Sequence, residues 1–204
     1  MPQPVTEIYN DIADWFDAAR NKSLIERELL DLIRSHLPEQ PEVLDLGCGT
    51  AEPIARYFIE HGTRVTGIDG APAMIAHCHR RFPEQNWITA DMRRIDLGQS
   101  YDAIIVWDSL FHLNCDDQRA MFPIFDKHAR TGTVLIFSCG SDEEEAWSPM
   151  RGHDSVQMFH ATLNTGEYEQ LLARHGFTII RQAISDKNCG GRSYFIARKA
   201  ATSP

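Results

Sequence analysis

Two glycines one residue apart, Gly47 and Gly49, follow the apolar run Val43-Leu44-Asp45-Leu46 and precede a helical stretch. Glycine in such a turn can take φ > 0 and leaves the backbone bare to a ligand. The turn also aims N–H groups and the positive end of the next helix at an anionic or polar group. Alone, the Gly-x-Gly pattern is shared by several nucleotide sites. Three acids behind it sharpen the reading. Asp69 closes Val65-Thr66-Gly67-Ile68, 20 residues after Gly49; Asp91 closes Ile88-Thr89-Ala90; Asp108 follows Tyr101-Asp102-Ala103-Ile104-Ile105-Val106-Trp107. Ionised carboxylates only accept hydrogen bonds, and open α/β sheets bind ligands beyond the carboxyl ends of their strands. His112, just past the fourth run, has the chemistry of a general base, and Asp108 is comparable.

These residues need a scaffold that brings strand ends together. The expected alternation is strand 43–47, helix 51–61, strand 64–69, helix 72–82, strand 87–90, strand 101–107, helix 116–129 and strand 133–138. Strands alternating with helices imply right-handed crossovers and a parallel sheet covered on both faces. Before it, residues 5–37 carry Ile8, Ile12, Trp15, Phe16 and a later leucine-rich run at helical spacing, with Pro38 and Pro41 ending the region. After Ser138 the regularity breaks: residues 139–163 hold the acidic run Asp142–Glu145, read as a solvated loop, together with His153, Asp154 and His160. A stretch of that length without clear periodicity is usually functional or mobile. A helix over 165–175, a strand over 177–184, the Gly190-Gly191 turn and a strand over 192–198 close the chain as an antiparallel pair.

The four strand-end segments together resemble the class I S-adenosylmethionine-dependent methyltransferases, over residues 40–198. The resemblance implies a Rossmann-like doubly wound α/β sheet of seven strands, mostly parallel with an antiparallel last strand. It implies one methyltransferase domain over 1–204: a helical lid (1–40), a cofactor-binding core (41–138), an acceptor-side insertion (139–163) and a last helix with hairpin (164–204). Gly47, Cys48 and Gly49 would meet the methionine part of the cofactor. Asp69, with Gly70 beside it, would accept hydrogen bonds from the ribose diol. Asp91 and Met92 resemble the family's adenine contacts, Trp107 its main-chain contact to the methionine moiety, and Tyr9 a lid aromatic. Met74 packs either on the nucleoside or in the core. His112 or Asp108 would serve the acceptor as base, with His153 and His160 in its roof. The family's glycine turn usually has a third glycine where this chain has Ala51, a residue tolerated if φ stays negative.

Composition narrows the alternatives. The 204 residues suit one domain with a real core. A net charge of −9 argues against a nucleic-acid footprint, and nothing approaches the ~18 apolar residues a membrane span requires, so neither DNA nor a membrane is an expected partner, and a small-molecule methyl acceptor is. The five scattered cysteines, with no apolar N-terminal run, read as free thiols in a cytoplasmic protein. A nicotinamide-dependent oxidoreductase needs a small third residue in its glycine turn, and Glu52 stands there. The Asp/Asn-Pro-Pro-Tyr/Phe signature of amino-methylating DNA enzymes does not follow the fourth strand. His77-Cys78-His79 cannot converge on one metal ion, because helix neighbours point about 100° apart. A protein or RNA acceptor, or a non-catalytic module that binds the cofactor, are the remaining alternatives to methyl transfer onto an oxygen or nitrogen of a small molecule.

Overall fold

The apolar runs pair side by side as β1 (Glu42–Leu46), β2 (Arg64–Asp69), β3 (Asn86–Thr89), β4 (Tyr101–Val106) and β5 (Ala129–Cys139), all parallel. β8 (Phe177–Asp186) and β9 (Arg192–Lys199) complete a seven-stranded sheet in the order β3-β2-β1-β4-β5-β9-β8, with β9 antiparallel to both its neighbours. The computed structural model describes residues 3–140 and 144–201. The sheet is the Rossmann-like, mostly parallel one expected, and the last strand in the chain is the antiparallel one.

The strands read as nearly continuous apolar runs because both faces are covered. Leu44, Leu46, Ile104, Val106, Leu135 and Phe137 face one core, filled by Phe122 and Phe125 of α6 (Cys115–Lys127) and Tyr168 of α7 (Thr165–Arg174). Val43, Ile105 and Ile136 face the other, filled by α3 (Arg27–Arg34), α4 (Ile54–Glu60) and α5 (Pro72–Arg81) through Leu29, Ile33, Phe58 and Cys78. Each large side chain buried this way contributes roughly 1.5–3 kcal/mol. Asn114 and Asn164 start α6 and α7 by accepting from the backbone N–H groups of Asp117 (2.8 Å) and Glu167 (3.0 Å), the usual N-cap arrangement.

Several expectations are corrected. The N-terminal region is not all lid: α1 (Val5–Asp11) and α2 (Ala13–Ala19) lie over the strand ends, whereas α3 packs into the core. Ala51 sits at φ +66°, not at negative φ, so the helix begins only at Ile54. The described residues of the stretch 139–163 are not irregular. They contain a two-stranded antiparallel hairpin, β6 (Glu144–Met150) and β7 (His153–Thr162). Glu144 and Glu145 therefore belong to a strand rather than a loop, and Glu145 Oε1 accepts from the Cys115 N–H at 2.9 Å. Asp142 and Glu143 lie outside the described residues.

Candidate active site

The carboxyl ends of β1, β2 and β4 open into one cavity of about 1480 Å³, roofed by α1, α2 and the β6–β7 hairpin. That exceeds the roughly 300–1,000 Å³ of a typical small-molecule pocket and leaves room for two molecules.

The glycine turn forms its floor. Gly47 and Cys48 both donate their N–H to the Ile68 carbonyl (2.8 and 3.0 Å), fixing the turn to the end of β2. Gly47 has φ +76°, and a Cβ there would stand 2.3 Å from the Ser109 Cβ, so only glycine lets the segment after β4 approach β1. Gly49 has φ +53° and donates its N–H to Asp69 Oδ2 at 2.9 Å, while Ala71 N–H donates to Oδ1 at 2.9 Å. Asp69 thus caps the approach to α5 and braces the turn, yet each oxygen keeps a lone pair for a ligand. Burial raises its pKa, and the two backbone donors oppose that. Gly70 is also a close-approach position, since a Cβ there would meet Thr6 Cγ2 of α1 at 2.5 Å. The Cys48 thiol packs in the core, its pKa raised by burial and by Cys78 beside it, so only its backbone suits ligand contact.

Asp91 ends the β3 segment and lines the cavity with Met92. Its carboxylate accepts from the Arg93 N–H (3.0 Å) and guanidinium (2.6 Å), and the bond to Arg93 lowers its pKa. Met74 lines the cavity while being buried among Ala13, Ala71, Tyr9 and Phe16, so both readings of it meet. Trp107 also lines the wall, and its indole N–H donates to the buried Glu26 at 3.2 Å.

Asp108 does not have the surroundings of a base. Arg192 grips it through two 2.7 Å bonds, and Arg20 of the α2 end adds a third at 3.2 Å. Burial would raise its pKa, but these guanidiniums prevail and hold the carboxyl below the usual carboxylate range.

His112 has a fixed tautomer. Its Nδ1 lies 2.9 Å from the Phe159 carbonyl, which only accepts, so Nδ1 carries the proton in the neutral ring. Nε2 then accepts from the Tyr9 hydroxyl at 3.0 Å. Burial pushes the His112 pKa down to about 4, against the bond to Phe159, while burial pushes the Tyr9 phenol upward. The pair is therefore a protonated phenol on a neutral imidazole. In these surroundings His112 is a weak base, and of the base and acceptor-contact roles expected for it the geometry suits the second better. His160 stands beside it with ring centroids 5.1 Å apart and its Nδ1 3.1 Å from the Ser148 hydroxyl, and burial lowers its pKa also. His153 does not line the cavity: it stands at the hairpin turn, with its ring edge-on to the lining residue Trp15 at 4.7 Å.

Asp45, Arg20, Glu26 and Arg192 are among the cavity residues not singled out from the sequence. Asp45 had a signal, an ionisable side chain inside an apolar strand. It is 4% exposed, and burial together with nearby Asp69 raises its pKa to about 7. The arginines had none, since nothing local in sequence ties residues 20 and 192 to Asp108.

Residues 43–132 match the family described as a methyltransferase domain. The chain is 28% identical over 130 residues to the dTDP-3-amino-3,4,6-trideoxy-alpha-D-glucopyranose N,N-dimethyltransferase of Streptomyces venezuelae, covering 62% of this chain and 54% of that one. It is 32% identical over 164 residues to the malonyl-[acyl-carrier protein] O-methyltransferase of Serratia marcescens, covering 77% and 62%. The chain thus spans little more than half the length of these curated relatives. Among solved structures, the CcbJ methyltransferase from Streptomyces caelestis superposes with a TM-score of 0.75 at 16% identity, covering 98% of this chain and 100% of that one. A SAM-bound amino pentose methyltransferase from Micromonospora echinaspora gives 0.72 at 19%, covering 98% and 100%.

Proposed function

We propose that this chain, a class I S-adenosylmethionine-dependent methyltransferase by its fold and by the methyltransferase-domain family that residues 43–132 match, transfers a methyl group to a small molecule held in the cavity at its strand ends. The observation that carries the reading is the joint placement of Asp69 and Asp91, acids closing adjacent strand segments, around the Gly47–Gly49 turn in that one cavity.

The donor set fits the cofactor. Asp69 accepts from the ribose diol with the lone pairs its backbone donors leave. Asp91 and the Met92 N–H receive the adenine. Asp45 faces the α-ammonium, and Arg20, only partly engaged by Asp108, faces the α-carboxylate. The backbone of Gly47, Cys48 and Gly49, with Trp107, lines the methionine portion, and Gly70 and Met74 seat the nucleoside side against α1. The cofactor supplies an activated methyl on a sulfonium, so the protein's work is alignment and exclusion of water. α1 and α2 close the site, and His112 holds the Tyr9 hydroxyl in place at the acceptor end, with His160 in the wall. The division of the chain follows from this: α1 and α2 as cover, the sheet as cofactor scaffold, the hairpin as acceptor roof.

Asp69→Ala tests the assignment. It removes hydrogen bonds to a charged group, so S-adenosylmethionine should bind about 1.5–3 kcal/mol more weakly by calorimetry. Because Asp69 also braces the turn, melting temperature is to be measured alongside. Unchanged affinity in a folded variant would remove Asp69 from the site.

A further inference from the structure

We propose that the group methylated in this cavity is an uncharged amine nitrogen, received by the oxygen of Tyr9; this rests on the methyl-transfer reading above. Three observations converge on it.

The first is hydrogen-bond polarity. With Nδ1–H of His112 given to Phe159 O, Nε2 consumes the only proton of the Tyr9 hydroxyl. What Tyr9 presents to the cavity is therefore acceptor lone pairs, and its ligand must bring an N–H or O–H.

The second is charge. A carboxylate acceptor needs a cation, yet the arginines lining the cavity are committed: Arg192 to Asp108, Arg93 to Asp91 and Asp117, and Arg20 to Asp108 and, in the reading above, to the cofactor's own carboxylate. Arg151 is exposed at the hairpin turn, where water screens it. Acids outnumber arginines along the wall, which repels a carboxylate and favours the positive charge that develops on an attacking nitrogen.

The third is the absence of a strong base among the described residues at this end. A hydroxyl nucleophile must shed its proton during attack, but Asp108 is gripped by two guanidiniums and His112 is a weak base. An amine needs no such help. Its lone pair forms the new C–N bond as the C–S bond breaks, and that bond's electron pair stays on sulfur as a neutral thioether. The positive charge passes to nitrogen, and the N-methylammonium later gives a proton to solvent water. Tyr9 oxygen and the acid-rich wall stabilise the charge as it develops. Burial favours the free-base form of the arriving amine.

The experiment supplies the chain and S-adenosylmethionine with probes matched in scaffold: cyclohexylamine, cyclohexanol and cyclohexanecarboxylate, then benzylamine, phenol and benzoate. Release of S-adenosylhomocysteine and the mass of the methylated product are read. Turnover should be confined to the amines, at least about tenfold above the other arms. Tyr9→Phe should lower amine kcat/KM about 10- to 100-fold, the loss expected for one strong hydrogen bond, with a smaller change in S-adenosylhomocysteine affinity. Faster turnover of an alcohol, phenol or carboxylate overturns the proposal, and so does no amine turnover by a chain that binds S-adenosylmethionine. Tyr9→Phe with unchanged amine turnover overturns the role of Tyr9. Failure to bind S-adenosylmethionine at all would instead condemn the methyl-transfer reading.

Discussion

His112 and Asp45 are buried groups whose pKa values move in opposite senses around neutrality, His112 down to about 4 and Asp45 up to about 7. The folded protein resists protonating His112, so the unfolded chain binds more protons between the ordinary histidine value and about 4. Stability is therefore lost as pH falls through that window, by at most about 3 kcal/mol for this one group. Asp45 acts oppositely, favouring the fold as pH falls from about 7. The difference between wild type and His112→Gln isolates the first effect. In urea titrations, the advantage of wild type should shrink as pH drops from 6.5 toward 4. A constant difference would mean His112 titrates normally. For Asp45, the cofactor's ammonium needs the ionised carboxyl, so S-adenosylmethionine should bind more tightly as pH rises toward 7 and level off above. Asp45→Asn should flatten that curve in calorimetry and weaken binding at the plateau. The placement of Asp69 and Asp91 on the cavity was legible in the sequence because both close strand segments, where open α/β sheets form their crevice. The true environment of Asp108 was not, since it depends on arginines 88 and 84 residues away.

The elements over the cavity behave differently from those in the sheet. α1 and α2 are tied down by side-chain bonds: Asn10 Oδ1 accepts from Ala73 N–H at 3.0 Å, and Arg81 donates to Asp17 at 2.8 Å. His112 joins α1 to β7, through Tyr9 on one side and the Phe159 carbonyl on the other. Bound cofactor adds contacts under this cover, so amide exchange in residues 5–11 should slow on adding S-adenosylhomocysteine, while β1 and β4 change little. Equal exchange with and without it would describe a permanently packed wall. The N-terminal helices were legible from their 3.6-residue spacing, but spacing could not separate α3, whose Leu29 and Ile33 fill the core, from a lid. The hairpin escaped because His160 and Phe159 lie on neighbouring, partly buried positions, and with Ala161 and Thr162 both buried no strict alternation survives.

Across the whole molecule, the sheet was the most legible part. Strands buried on both faces leave apolar runs that cannot be mistaken for surface, and the glycine turn marks where the first must end. Placement of the cavity follows from the topology: β1 and β4 are neighbours in the sheet but not in the chain, and the crevice opens where the strand order reverses. Arg192 on β9 reaches that crevice only because the last strand inserts between β5 and β8. A crystal structure with S-adenosylhomocysteine tests most directly how the cofactor lies in this crevice. The ribose should lie on Asp69, the adenine beside Asp91 and Met92, and the sulfur should face Tyr9 and His112. A nucleoside seated away from Asp69, or a sulfur turned from the Tyr9–His112 pair, would contradict the account.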